Sequence, residues 1–148
     1  MGNGSRQTGA FDVGAKSVGL NINLPHEQYP NPHITPELCL RIHYFALRKM
    51  HLVLRAKALV AFPGGYGTFN ELFEVLTLVQ PHKIKPLPIV LVGENYWRPA
   101  FDVEFLVYEG VMDAEDRELF WCAEAAKKVW DGILHWHDAC GAPLELKS

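Results

Sequence analysis

Pro63-Gly64-Gly65-Tyr66-Gly67-Thr68 decides how the chain is read, because of what stands on either side of it. Before it runs Ala58-Leu59-Val60-Ala61-Phe62, an uninterrupted apolar run of strand length, as expected for a strand buried on both faces. After it, Phe69 to Val79 is long and apolar enough for a buried helix. Strand, glycine turn and helix together aim free backbone N–H groups and the positive end of a helix dipole at an anion. Glycines suit such a turn because a side chain would block close approach of the backbone, and because tight turns ask for positive φ. The ligand this predicts is small and carries a phosphate. No Gly-Lys-Ser/Thr closes the turn, so it is not the nucleoside-triphosphate loop. The third glycine and downstream acid of the dinucleotide fingerprint are also missing. The competing reading is a tight turn that binds nothing.

Outward from this turn the chain alternates strand and helix patterns. Ser17 to Ile22 and Leu38 to His43 read as short strands, with a proline-rich loop from Leu24 to Pro36 between them that is long enough to act as a lid. Tyr44 to Arg55, free of Gly and Pro, predicts a helix leading into the central strand. Beyond the central helix, Leu87 to Gly93 predicts a second buried strand and Trp97 to Tyr108 a helix. Asp113 to Glu118 is an acidic turn or helix start, Leu119 to Cys122 a brief strand, and Ala123 to about His137 the last helix. The fold class is therefore α/β, a Rossmann-like parallel sheet with helices on both faces and the ligand at the carboxyl ends of its strands. One nucleotide-binding domain over residues 1–148 is expected, with 1–10 and 141–148 flexible. A hydrophobic strand is expected at the start of such a sheet. The first strand-like run begins only at Ser17, so the chain reads as opening in the middle of a fold.

Composition narrows the partners. A net charge of −3 argues against nucleic acid, whose binding rests on a basic surface. Cys39, Cys122 and Cys140 are far apart and form no CxxC pair, which suits reduced thiols in the cytoplasm. No apolar run reaches membrane-spanning length, so no membrane partner is expected.

Candidate chemistry centres on the helix after the turn. Thr68-Phe69-Asn70-Glu71 fits a capping box, in which the Glu71 carboxylate reaches back to the Thr68 N–H. The other reading makes Glu71 a carboxylate held one turn from a bound phosphate, able to stabilise positive charge or orient water. Glu74, deeper in the helix, is read as structural. Arg48 and Lys49 are either a solvated basic face or phosphate ligands, the guanidinium fork being suited to bidentate contact. His135 and His137 are two apart and do not face together on a helix, so no metal site is expected there. Tyr96 and Trp97 are read as packing residues first, the second reading being an aromatic near the site that holds a purine.

Arg48-Lys49 followed by PGGYGTxxE resembles the LONELY GUY family of nucleoside 5′-monophosphate phosphoribohydrolases, often labelled lysine decarboxylase-like. Residues 19–28, Leu76 to Gln80 and Pro88 to Trp97 look like its bacterial members, and the resemblance covers roughly residues 10 to 135. It implies hydrolysis of the N-glycosidic bond of AMP or a cytokinin riboside monophosphate to free base and ribose 5-phosphate, in a homodimer and without a cofactor. Carried over residue by residue, Glu71 and Arg48 match the catalytic positions. Gly64, Gly65, Tyr66, Gly67 and Thr68 match the phosphate turn, and Lys49 and Thr77 match substrate-contacting positions. Asn70 stands where plant-type members carry another Glu. The family's opening strand and first glycine-rich turn are not matched, which implies an amino-terminally shortened member. Two other functions stay open: a non-catalytic nucleotide or molybdenum-cofactor carrier of similar fold, and a pyridoxal-dependent decarboxylase using Lys49.

Overall fold

The computed structural model describes residues 12–17, 19–21, 35, 37, 39–41, 52–81 and 84–144, with the backbone alone at 19–21 and 39–41. The chain divides into two compact units, Met1–Arg55 and Ala56–Ser148.

In the first unit, β1 (Gly19–Asn21) pairs in parallel with β2 (Cys39–Arg41), Leu20 opposite Leu40. Ser17 and Thr35 fix the approach to this pair. The Ser17 N–H donates to Thr35 Oγ1 at 3.1 Å, and the Thr35 N–H donates to the Ser17 carbonyl at 3.2 Å. Residues 52–55 are helical. Arg48 and Lys49 and most of the expected lid lie outside the described residues, as does the bulk of the helix expected over Tyr44 to Arg55.

The second unit holds a parallel sheet in the order β3 (Leu59–Ala61), β4 (Ile89–Val92), β5 (Trp121–Ala123). Val60 lies opposite Val90, and Leu91 opposite Cys122. Parallel neighbours need crossovers, and helices supply them. The first is α1 (Tyr66–Val79); between β4 and β5 run α2 (Glu94–Ala100), α3 (Val103–Tyr108) and a 3₁₀ turn at Ala114–Leu119. The last helix, α4 (Ala126–Ala139), follows β5. Ile89, Val90 and Leu91 are 0%, 0% and 1% exposed, so the unbroken apolar run in β4 reflects burial on both faces. On one face Val90 and Ala123 meet Val129 and Ile133 of α4, with Trp121 and Leu144 at the margin. Ile89, Leu91 and Cys122 alternate to the other face. This is the α/β, Rossmann-like class. No helix among the described residues is long and apolar enough to cross a membrane.

Several boundaries differ from expectation, each for a local reason. The helix expected over Trp97 to Tyr108 is two helices. The first runs through Pro99 to Ala100 and stops where Phe101 turns extended, at φ −149°, and Asp102 restarts the second by accepting the Phe105 N–H at 3.0 Å. The last strand sits at Trp121–Ala123 because pairing with Val90–Val92 carries it two residues further, and α4 begins only at Ala126. The acidic stretch forms the 3₁₀ turn, closed by a reciprocal box between Asp113 and Asp116. Asp116 is buried and accepts Gln80 Nε2 at 2.6 Å, tying that turn to the end of α1. Past α4, Gly141 takes a φ of 67° and its N–H returns to the Asp138 carbonyl, the usual glycine stop for a helix.

Candidate active site

The glycine turn leaves the carboxyl end of β3 and becomes helix sooner than its sequence suggests. Gly65 is the N-cap, with extended backbone at φ −90° and ψ −158°. The N–H groups of Thr68 and Phe69 both return to the Gly65 carbonyl, at 2.9 and 3.2 Å. Tyr66, Gly67 and Thr68 are therefore the first turn of α1 rather than the loop before it. Thr68 is the third helical residue, so the capping box expected between Thr68 and Glu71 does not form: Glu71 sits a full turn too deep. Among the described residues the N–H groups of Gly65, Tyr66 and Gly67 have no acceptor, as a helix N-terminus without a side-chain cap must leave them.

The glycines do different work from the one expected of them, for positive φ occurs at Gly14, Gly93, Gly110 and Gly141 and at none of Gly64, Gly65 and Gly67. At Gly64 the reason is close approach: an added Cβ would run into the Thr68 hydroxyl and lie 2.9 Å from Thr68 Cβ. At Gly65 and Gly67 an added Cβ meets nothing within 4 Å, so both face open space. Gly64→Ala is therefore expected to destabilise the protein by about 1–3 kcal/mol, and Gly65→Ala by less than about 0.5 kcal/mol. Denaturant unfolding of the two variants checks this; equal midpoints would refute it.

Glu71 lies four residues after Gly67, on the same side of α1 and about 6 Å further along its axis. Its side chain is exposed, as are Tyr66, Asn70 and Thr77, whereas Leu72, Val75, Leu76 and Val79 form the buried stripe. Thr77 is nine residues beyond Thr68, about 13 Å along the axis. Its hydroxyl donates to the Glu74 carbonyl at 2.9 Å. The structure thus brings the turn and Glu71 together and sets Thr77 well apart from them on the same helix. Arg48 and Lys49 cannot be placed beside them, because they fall outside the described residues. His135 is exposed while His137 is buried, its Nε2 2.8 Å from the Lys57 carbonyl, so the two histidines do part company. No cluster of three His, Cys, Asp or Glu suited to a metal ion occurs among the described residues.

Sequence reasoning missed one member of this neighbourhood. Tyr96, read first as packing and second as a platform for a purine, does pack, with ring centroids 6.5 Å from Phe69 and 5.1 Å from Trp97. Its hydroxyl also donates to the Gly64 carbonyl. The rule that places ligands at the carboxyl ends of parallel strands would have pointed to it, since the β4–α2 turn lies at that same end.

A separate cavity of about 480 Å³ contains none of the residues expected from sequence. Trp97, Phe101, Phe120 and Cys122 line it, with Arg98 and Arg117 among its polar residues. Both guanidinium groups are engaged, Arg98 by Glu94 at 2.6 Å and Arg117 by Glu104 at 2.9 Å. Burial, reinforced by the Glu94 carboxylate, pushes the Cys122 thiol above its ordinary value of 9.0. The folded protein holds this proton more tightly than the unfolded chain. Its contribution to stability is complete below pH 9.0 and is lost as pH rises through the folded value. At mildly alkaline pH iodoacetamide is expected to label exposed Cys140 about tenfold faster than Cys122, read by peptide mass spectrometry; the reverse order would refute this.

Comparison with known proteins gives a consistent picture. The family described as "Possible lysine decarboxylase" matches residues 3–133. A probable cytokinin riboside 5′-monophosphate phosphoribohydrolase of Oryza sativa subsp. japonica, LOGL3, is 30% identical over 107 residues, 68% of this chain and 50% of that protein. The cytokinin riboside 5′-monophosphate phosphoribohydrolase LOG3 of Arabidopsis thaliana is 34% identical over 84 residues, covering 55% of this chain and 39% of its own. Its rice counterpart LOG is 34% identical over 85 residues, 55% of this chain and 34% of that protein. The chain thus spans half the length, or less, of these curated relatives.

Proposed function

We infer the activity from one premise: the chain belongs to the family described as possible lysine decarboxylase, the LONELY GUY family. We propose that it hydrolyses the N-glycosidic bond of a purine nucleoside 5′-monophosphate, AMP or a cytokinin riboside monophosphate. The observation that carries this is the start of α1, where three backbone N–H groups have no acceptor among the described residues and the last of them, on Gly67, lies about one turn before the exposed Glu71. The names of the relatives support the reaction class.

In this proposal the 5′-phosphate docks on the N–H groups of Gly65, Tyr66 and Gly67, where the helix dipole adds to the hydrogen bonds. With the phosphate held, the sugar lies alongside α1 and its C1′ comes to Glu71. The C1′–N9 bond breaks and leaves an oxocarbenium-like ribose, which the Glu71 carboxylate stabilises while it orients water. Water gives its hydroxyl to C1′ and its proton to the departing base, so the products are free base and ribose 5-phosphate. Arg48 and Lys49 add positive charge to the phosphate and fix its geometry. Thr77 contributes from a second copy in a homodimer, which accommodates its distance along α1 from the turn.

Incubation with AMP and with isopentenyladenosine monophosphate, followed by chromatography of the bases, tests this. Release of adenine or of the substituted base, with equimolar ribose 5-phosphate, is expected. Tight binding of AMP without release would replace the proposal with a nucleotide carrier. Absence of both binding and release would overturn it altogether.

A further inference from the structure

We propose that Tyr96 is a positioning residue for the anion cradle, holding the Gly64–Gly65 peptide so that its N–H side stays turned toward a bound phosphate. This rests on the reading of the glycine turn as a phosphate site, and adds to it a residue from the first turn of α2, 32 positions away.

In a trans peptide the carbonyl of one residue and the N–H of the next point in opposite directions, and they turn together. The Tyr96 hydroxyl donates to the Gly64 carbonyl, so it takes hold of one side of the plane whose other side is the Gly65 N–H. That N–H is among the three without an acceptor at the start of α1. Gly64 and Gly65 have little intrinsic preference for any one orientation of this plane. Something outside the turn has to set it, and the phenol is the group that touches it.

Tyr96 is itself held. Its backbone N–H returns to the Gly93 carbonyl at 3.0 Å, and its ring lies edge-on to Trp97, which is 1% exposed and donates Nε1 to the Val92 carbonyl at 3.1 Å. The start of α2 is tied to the turn that follows β5, since the Glu94 N–H donates to Glu124 Oε1 at 2.7 Å. Gly93, at φ 97°, brings the β4–α2 turn against Pro63, where even a Cβ would stand 3.3 Å from the proline ring. The turns that follow β3, β4 and β5 are thereby linked, and the phenol hydroxyl is where that linkage reaches the cradle.

Tyr96→Phe removes the hydroxyl and keeps the ring contacts, so the variant folds; a larger truncation is avoided for that reason. With one orienting hydrogen bond gone, Kd for ribose 5-phosphate and for inorganic phosphate is expected to rise about tenfold by calorimetry. KM for AMP should rise by a similar factor while kcat changes less than about twofold. In the free protein the Gly65 amide cross-peak should shift. A variant that binds both anions like the wild type overturns the proposal while leaving the phosphate site standing. A wild type that binds neither anion overturns both. A thermal midpoint lowered with unchanged anion affinity would make Tyr96 a packing residue and overturn the positioning role alone.

Discussion

Glu71→Gln is expected to slow release of adenine from AMP by about 10²–10⁴-fold while changing stability by no more than about 0.5 kcal/mol. The substitution keeps shape and polarity and removes the negative charge, the property the proposal assigns to this residue. Sequence alone left two roles for it, and they predict opposite results. As the third residue of a capping box, Glu71 could become Gln with the box intact, and activity would survive. The observed start of α1 at Tyr66 makes Glu71 the sixth helical residue, too deep to reach an N-cap at Gly65. Its carboxylate is exposed beside the open side of the turn, where an oxocarbenium-like sugar would need it. Initial rates with AMP and denaturant curves on the same preparations decide the matter. A variant with full activity, or one that loses activity only because it unfolds, removes Glu71 from the mechanism.

Trp97→Ala carries the largest expected effect on stability, a loss of about 3–5 kcal/mol by denaturant unfolding. The side chain is 1% exposed, with its ring centroid 5.3 Å from Phe69 and 5.1 Å from Tyr96. Truncation leaves a void beneath α2 and strands the Val92 carbonyl that Nε1 now satisfies. Set against a typical total of about 5–15 kcal/mol, such a loss leaves the protein marginal. Trp97→Phe should cost about 1–2 kcal/mol, because it keeps a ring and loses the N–H donor and some volume. If the alanine variant unfolds at nearly the wild-type denaturant concentration, Trp97 is not the keystone its burial makes it.

The parts of this molecule that depend on near neighbours were legible in the sequence. The strand at Ile89 announced itself because burial on both faces demands an unbroken apolar run, and the one at Leu59 showed the same pattern although Leu59 and Val60 are only half-buried. The strand-to-helix turn was legible because glycines stand between such a strand and a helix. Caps and breaks were harder, because they are decided by competition among adjacent candidates. Gly65 took the cap that Thr68 was expected to hold, and Asp102 restarted a helix after the extended Phe101 had stopped the one before it. The Tyr96 contact was illegible for a different reason. It joins residues 32 apart, and only the parallel pairing of β3 with β4 brings them together.

One consequence follows from the division of labour along α1. Leu72, Val75, Leu76 and Val79 anchor the rod on one side, while Tyr66, Asn70, Glu71 and Thr77 look outward from the other. Mutational drift on the outer side can exchange Asn70 for an acid, or reshape what lies beyond Tyr66, with little penalty to the anchor. Such a helix lets selection remodel its exposed face while the scaffold stays intact, and diversification within a lineage of this kind should concentrate on those outward positions.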